Sequence, residues 1–164
     1  MGIPGAVSYS QARRYQSMRP ALLEAVRTVL ARHPGADFYL TGHSLGAIQS
    51  ILGLADLATL HPGHSFRSYP AAAYRNTDEA FNRYVAGLPN VKAIWRITHA
   101  GDNVPAGRQA YDPAALFNYR GLGVEVWYPS DERPLEFVVC DSSGEDPTCI
   151  SSVPVGHPPR PLPR

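Results

Sequence analysis

Two glycines bracket a serine in Gly42-His43-Ser44-Leu45-Gly46, within the stretch YLTGHSLGA of residues 39–47. A serine hydroxyl is a weak nucleophile until a neighbouring base takes its proton and a carboxylate orients that base. Held in a sharp strand-to-helix turn, Ser44 could attack an acyl carbon. The alternative is a glycine-rich turn in which the serine only caps a helix. The flanking residues decide between the two.

Before the motif, ADFYL (36–40) is short, apolar and rich in strand formers, which predicts a buried strand. After it, AIQSILGLADLATL (47–60) carries Ile48, Ile51, Leu52, Leu54, Ala55 and Leu57 at helical spacing. A helix apolar on most sides is a buried one. Ser44 therefore stands where a strand runs into a helix, the setting of a nucleophile elbow. Gly42 and Gly46 are expected to leave room that a Cβ would fill. His43 is expected to help shape the turn. The backbone N–H of Leu45, at the positive end of the helix, is the expected oxyanion donor.

In α/β-hydrolases the chain order is serine, then an acid, then a histidine. Asp102 follows VKAIWRIT (91–98), a predicted strand, in the segment ITHAGDNVP. Functional groups of open α/β sheets collect at such carboxyl ends. An Asx turn is the alternative use of Asp102. The histidine that follows Asp102 in the chain is His157, so it is the expected base. It lies among prolines, and an exposed tail histidine is the competing interpretation. His33, His61 and His64 are expected in loops, and His99 is expected to buttress the Asp102 loop. No histidine–carboxylate cluster has metal-site spacing, so neither metal nor cofactor is expected.

The remaining elements must position these groups. Residues 8–33 predict a helix with Met18, Leu22, Val26, Val29 and Leu30 on one face and Arg13, Arg14, Arg19, Arg27 and Arg32 mostly on the wet side. Pro20 should bend it or open a second helix. SFRSY (65–69) predicts a strand. TDEAFNRYVAG (77–87) predicts a helix capped at Thr77. This alternation implies an α/β fold, a mostly parallel sheet with helices on both faces. GVEVWYPS and LEFVVC predict an antiparallel hairpin near the carboxyl terminus. Residues 1–152 form one expected domain, and the proline-rich residues 153–164 an extended tail.

Composition narrows the partners. Of the 164 residues, 44% are hydrophobic and 18% charged, as in a soluble globular protein. A net charge of +1 gives no reason to expect a nucleic-acid partner. No apolar run reaches the ~20 residues of a transmembrane helix. Residues 1–7 lack the basic start and apolar core of a signal peptide. Cys140 and Cys149 lack CxxC spacing, and a local disulfide is their expected use. That bond would imply an oxidising compartment. An abridged chain would reconcile it with the missing signal.

With these motifs placed, the sequence resembles the fungal class 3 triacylglycerol lipases, the Rhizomucor type, and the related feruloyl esterases. The resemblance rests on YLTGHSLGA, on RITHAGDNVP and on GVEVWYPS followed by Cys140. It implies an extracellular serine ester hydrolase that acts on acylglycerols or similar esters and touches a lipid interface transiently. It makes Ser44 the nucleophile and Asp102 the acid. The base role passes to His157 by order and approximate position alone. Three departures stand out. The family's early strand and lid helix, with the second oxyanion donor, have no counterpart here. Pro158-Pro159-Arg160 follows His157 where the family has apolar and aromatic residues. AAAYRNT (71–77) replaces the family's GAPRVGN. These departures keep two alternatives open, an inactive lipase-fold fragment and a feruloyl esterase.

Overall fold

The computed structural model describes residues 2–107, 117–130, 132–133 and 135–154. Helix α1 (Tyr9–Arg32) leads into strand β1 (Phe38–His43), helix α2 (Leu45–Leu60) and strand β2 (Phe66–Ala71). Helix α3 (Glu79–Ala86) and strands β3 (Val91–His99), β4 (Val124–Tyr128) and β5 (Val138–Val139) complete the main elements. The strands lie side by side in chain order, β1 to β4 parallel and β5 antiparallel to β4. The expected α/β fold with a mostly parallel sheet is present, but α1, α2 and α3 join a single core on one face where helices were expected on both. Of the expected hairpin partner LEFVVC, Val138 and Val139 form the strand paired with β4, and the Cys140 N–H adds a bond to the Glu125 carbonyl.

The helices share one core. Tyr15 and Val26 of α1, Ile48, Ile51, Leu52 and Leu54 of α2, and Phe81 and Val85 of α3 pack with Phe66 and Ile94 of the sheet. Phe38 and Leu40 of β1 join the edge of that cluster. The alternate side chains of the same strands face away from it. Tyr39 stacks with Tyr69, Arg67 lies over the Tyr39 ring, and Trp95 is exposed. A second, smaller cluster of Ala106, Trp127, Cys140, Cys149, Ile150 and Val153 sits beside β4 and β5. It includes the expected Cys140–Cys149 disulfide. Its last member, Val153, is buried although the sequence assigned it to the tail.

Several local expectations are corrected. Helix α1 is continuous through Pro20. Its inner face runs through Gln11, Tyr15 and Val26, while Met18 and Val29 are exposed. Gln11 can sit inside because it donates to the Tyr74 hydroxyl and accepts from Gln49. Arg19 turns inward to Asp56, which is buried in α2 and also accepts from the Tyr15 hydroxyl. The cap of α3 is Asp78, whose side chain accepts the N–H of Phe81 at 2.8 Å. Thr77 instead donates to Asn82 and bridges Val7 and Arg120 through its backbone.

Candidate active site

Strand β1 runs through Thr41, Gly42 and His43, three residues beyond the predicted end, and α2 begins at Leu45. Ser44 makes the entire connection. Its backbone has φ 53° and ψ −118°, a left-handed conformation that residues with a Cβ avoid. Such strain persists where surroundings over-determine it, and it clusters at functional sites. The Ser44 N–H continues the β1–β2 ladder to the Ala71 carbonyl at 2.9 Å. The Ser44 carbonyl accepts from Ala47 at 3.0 Å and Ile48 at 3.3 Å, starting the helix. Both ends of the residue are thus tied down.

The hydroxyl, in contrast, makes no capping hydrogen bond. That disfavours the capping alternative and leaves Oγ for chemistry. The Leu45 and Gly46 amides precede the first helical hydrogen bond and have no intrahelical acceptor, and they sit at the positive end of the helix dipole. Gly42 is needed for this geometry. A Cβ there would lie 2.3 Å from the Gly46 carbonyl oxygen and 2.8 Å from the Ala47 nitrogen. Gly46 is different from the expectation: a Cβ at Gly46 would meet nothing within 4 Å. His43 ends β1 with an exposed side chain.

Two further residues repeat the pattern of Ser44. Ala72 follows β2 with φ 51°, and Ala100 follows β3 with φ 44°. Ala72 N–H bonds the Ile97 carbonyl at 2.8 Å, and Ala100 N–H bonds the Tyr128 carbonyl at 2.6 Å. The carboxyl edge of the sheet therefore carries three successive strained exits, at Ser44, Ala72 and Ala100. Alanine carries no sequence signal for a positive φ, so the latter two escape a sequence reading.

Asp102 lies two residues beyond the third exit. Its N–H donates to the His99 carbonyl at 3.1 Å, so His99 does brace this loop through its backbone. Its Oδ1 accepts from the Val104 N–H at 3.0 Å, forming the Asx turn that the sequence left open. Among the described residues Oδ2 accepts no hydrogen bond. Ser44 and Asp102 thus leave the same sheet edge, after β1 and β3. His157 lies outside the described residues, as do Asp112 and Asp131. Asp141 and Asp146 belong to the disulfide loop. There the Asp146 carboxyl is held below its usual range by the Thr148 hydroxyl and by the Asp141 and Thr148 amides. Cys140, Cys149 and Asp146 cluster, but the disulfide removes both thiolates as metal ligands. No helix among the described residues is long and apolar enough to cross a membrane.

The family model of class 3 lipases matches residues 4–110, which contain both Ser44 and Asp102. A lipase of Rhizomucor miehei is 28% identical over 144 residues, 85% of this chain and 37% of the relative. The crystal structure of a lipase from Rhizopus microsporus var. chinensis superposes with a TM-score of 0.77 at 28% identity, over 89% of this chain and 49% of that one. A further solved structure, described as a triacylglycerol lipase whose catalytic centre is formed by a serine protease triad, gives 0.78 at 26% identity over 92% and 56%. The chain thus spans little more than a third of the curated relative and about half of the solved ones.

Proposed function

Because this chain belongs to the class 3 lipase family, we propose that it is a serine ester hydrolase acting on acylglycerols or similar carboxylic esters. The observation that carries this reading is the Ser44 backbone. A strained residue fixed at both ends, with its hydroxyl unused by the helix it starts, is built to present Oγ.

In the reaction, Ser44 Oγ attacks the ester carbonyl carbon while His157 takes the hydroxyl proton. The carbonyl oxygen becomes an oxyanion that accepts from the Leu45 N–H. Collapse breaks the bond to the alkoxy oxygen, which leaves as the alcohol with the proton from His157. Water, deprotonated by the same imidazole, then attacks the acyl-enzyme and releases the acid and free Ser44. Asp102, through Oδ2, orients His157 and stabilises the imidazolium. The Leu45 side chain, exposed beside Ser44, offers apolar surface to a lipid interface. The Cys140–Cys149 disulfide supports work outside the cell.

The test is hydrolysis of p-nitrophenyl butyrate by the chain beside Ser44→Ala and His157→Ala. The reading expects activity in the parent and loss of nearly all of it in both variants. Activity that survives Ser44→Ala would sink the nucleophile, and activity that survives His157→Ala would sink the base. A folded but silent parent would leave the chain an inactive member of its family. A methyl ferulate arm separates the feruloyl esterase alternative.

A further inference from the structure

The loop that carries Asp102 is gripped from one side by β4 and the disulfide lobe. Ala100, held at φ 44°, is pinned twice by adjacent residues of β4. Its N–H reaches the Tyr128 carbonyl at 2.6 Å, and its carbonyl accepts from Trp127 Nε1 at 2.9 Å. Four residues past Asp102, Ala106 donates to the Asp102 carbonyl at 3.4 Å and is buried among Trp127, Cys140, Cys149, Ile150 and Val153. Asp102 therefore sits between two anchors that share one packed body.

That body is itself tied to β4. The buried Glu125 accepts from Arg96 at 3.0 Å, from the Thr98 hydroxyl at 2.6 Å and from the Ile150 N–H at 3.3 Å. Its backbone carbonyl accepts from the Cys140 N–H at 2.9 Å. Arg96 also donates to the Gly144 carbonyl at 2.8 Å. The loop closed by the disulfide is thus bolted to the strand that presents Trp127.

We infer that Trp127 is a positioning residue for Asp102, holding the acid loop through the Ala100 carbonyl, and that the disulfide lobe is the body that braces it. A left-handed alanine relaxes when its restraints go. Losing the indole N–H lets the loop drift, and a small misplacement of a catalytic group is costly in rate. The inference rests on Asp102 being the triad acid.

Trp127→Phe keeps an aromatic ring in the cluster but removes the donor and part of the indole's volume. Its kcat and KM for p-nitrophenyl butyrate, the pH profile of kcat, thermal unfolding and amide hydrogen exchange decide the matter. Trp95→Phe, on the opposite sheet face, is the control. Expected in Trp127→Phe is a kcat lower by about tenfold or more at unchanged KM. The acid limb of the profile should move to lower pH, because a loosened carboxylate stabilises the imidazolium less. Exchange should quicken across residues 99–107 and not in β1 or β2, whatever uniform fall in melting temperature the smaller ring causes. Unchanged kcat and exchange would overturn the inference, and so would exchange that quickens throughout the sheet. If the parent hydrolyses no ester, the hydrolase reading fails, and the exchange pattern alone decides the clamp. If Trp127→Phe does not fold, the parent with its disulfide reduced replaces it. Faster exchange confined to 99–107 then upholds the clamp, and its absence overturns it.

Discussion

Gly42 and Gly46 face each other across the Ser44 turn so closely that a Cβ on Gly42 would stand 2.3 Å from the Gly46 carbonyl oxygen, whereas a Cβ on Gly46 would meet open space. The two glycines of the motif therefore do different work. Gly42→Ala must push α2 away from β1, and overpacking of this kind costs about 1–3 kcal/mol. Urea unfolding should show that loss, and hydrolysis should fall with it as the elbow opens. Gly46→Ala should be neutral or stabilising by about 0.5 kcal/mol, because it removes freedom from the unfolded chain in the first turn of a helix. Equal losses in the two variants would refute this division of roles.

Asp56 joins α1 to α2 by accepting from Tyr15 at 2.9 Å and from Arg19 at 2.6 and 3.1 Å. Asp56→Ala strands a buried hydroxyl and a part-buried guanidinium, and should cost about 2 kcal/mol in urea. Burial, and after it the Asp56 carboxylate, raise the Tyr15 pKa well above its usual value. A group whose folded pKa is raised keeps its full contribution below the unfolded value and loses it as pH climbs. The chain should thus begin to lose stability above about pH 10, where unfolded tyrosine ionises first. Tyr15→Phe should flatten that alkaline decline, as thermal melts across the range would show.

Asp146 has the opposite sign. Its carboxyl is held low by the Thr148 hydroxyl first and then by two amides, so its contribution is present above the unfolded carboxylate range and lost as pH falls through the folded value. The disulfide lobe should loosen from about pH 4 downward. Asp146→Asn should lower stability at neutral pH and remove part of the acid dependence. Removing the disulfide as Cys140→Ser with Cys149→Ser should cost roughly 2–3 kcal/mol, as expected for a loop of this length. A melt of that double variant superimposable on the parent would contradict this.

The elements that hold Ser44 were legible because their signals are local. An all-round apolar helix after a short β-prone run has few other meanings, and α2 formed close to where expected while β1 ran three residues past its predicted end. The phase of α1 was not legible. Apolarity alone drew its inner face through Met18 and Val29, but long-range partners bury Gln11 against Tyr74 and Gln49 and pull Arg19 to Asp56. The same blindness hid the Arg96–Glu125 pair inside the sheet, since hydropathy sends charges to the surface until a partner is known. At the site, glycines announced the turn at Ser44, while the positive φ of Ala72 and Ala100 had no residue type to announce it. Trp127 looked like a strand residue, because its hydrogen bond to Ala100 depends on how β3 and β4 pair.

Asp102 offers a test that separates fold from chemistry. Oδ1 takes the Val104 N–H at 3.0 Å to build the turn, which leaves Oδ2 for the proposed base. Asparagine keeps an acceptor oxygen for the turn and replaces the charged oxygen with an uncharged amide. Asp102→Asn should therefore unfold in urea close to the parent, while turnover falls by about three to four orders of magnitude, the usual cost of losing a triad carboxylate. Asp102→Ala removes both functions and should lose turnover together with about 1 kcal/mol of stability from the broken turn. Steady-state kinetics beside urea unfolding on the two variants resolves these effects. If Asp102→Asn retains the parent's kcat, Asp102 only shapes its own loop, and the acid must be sought elsewhere.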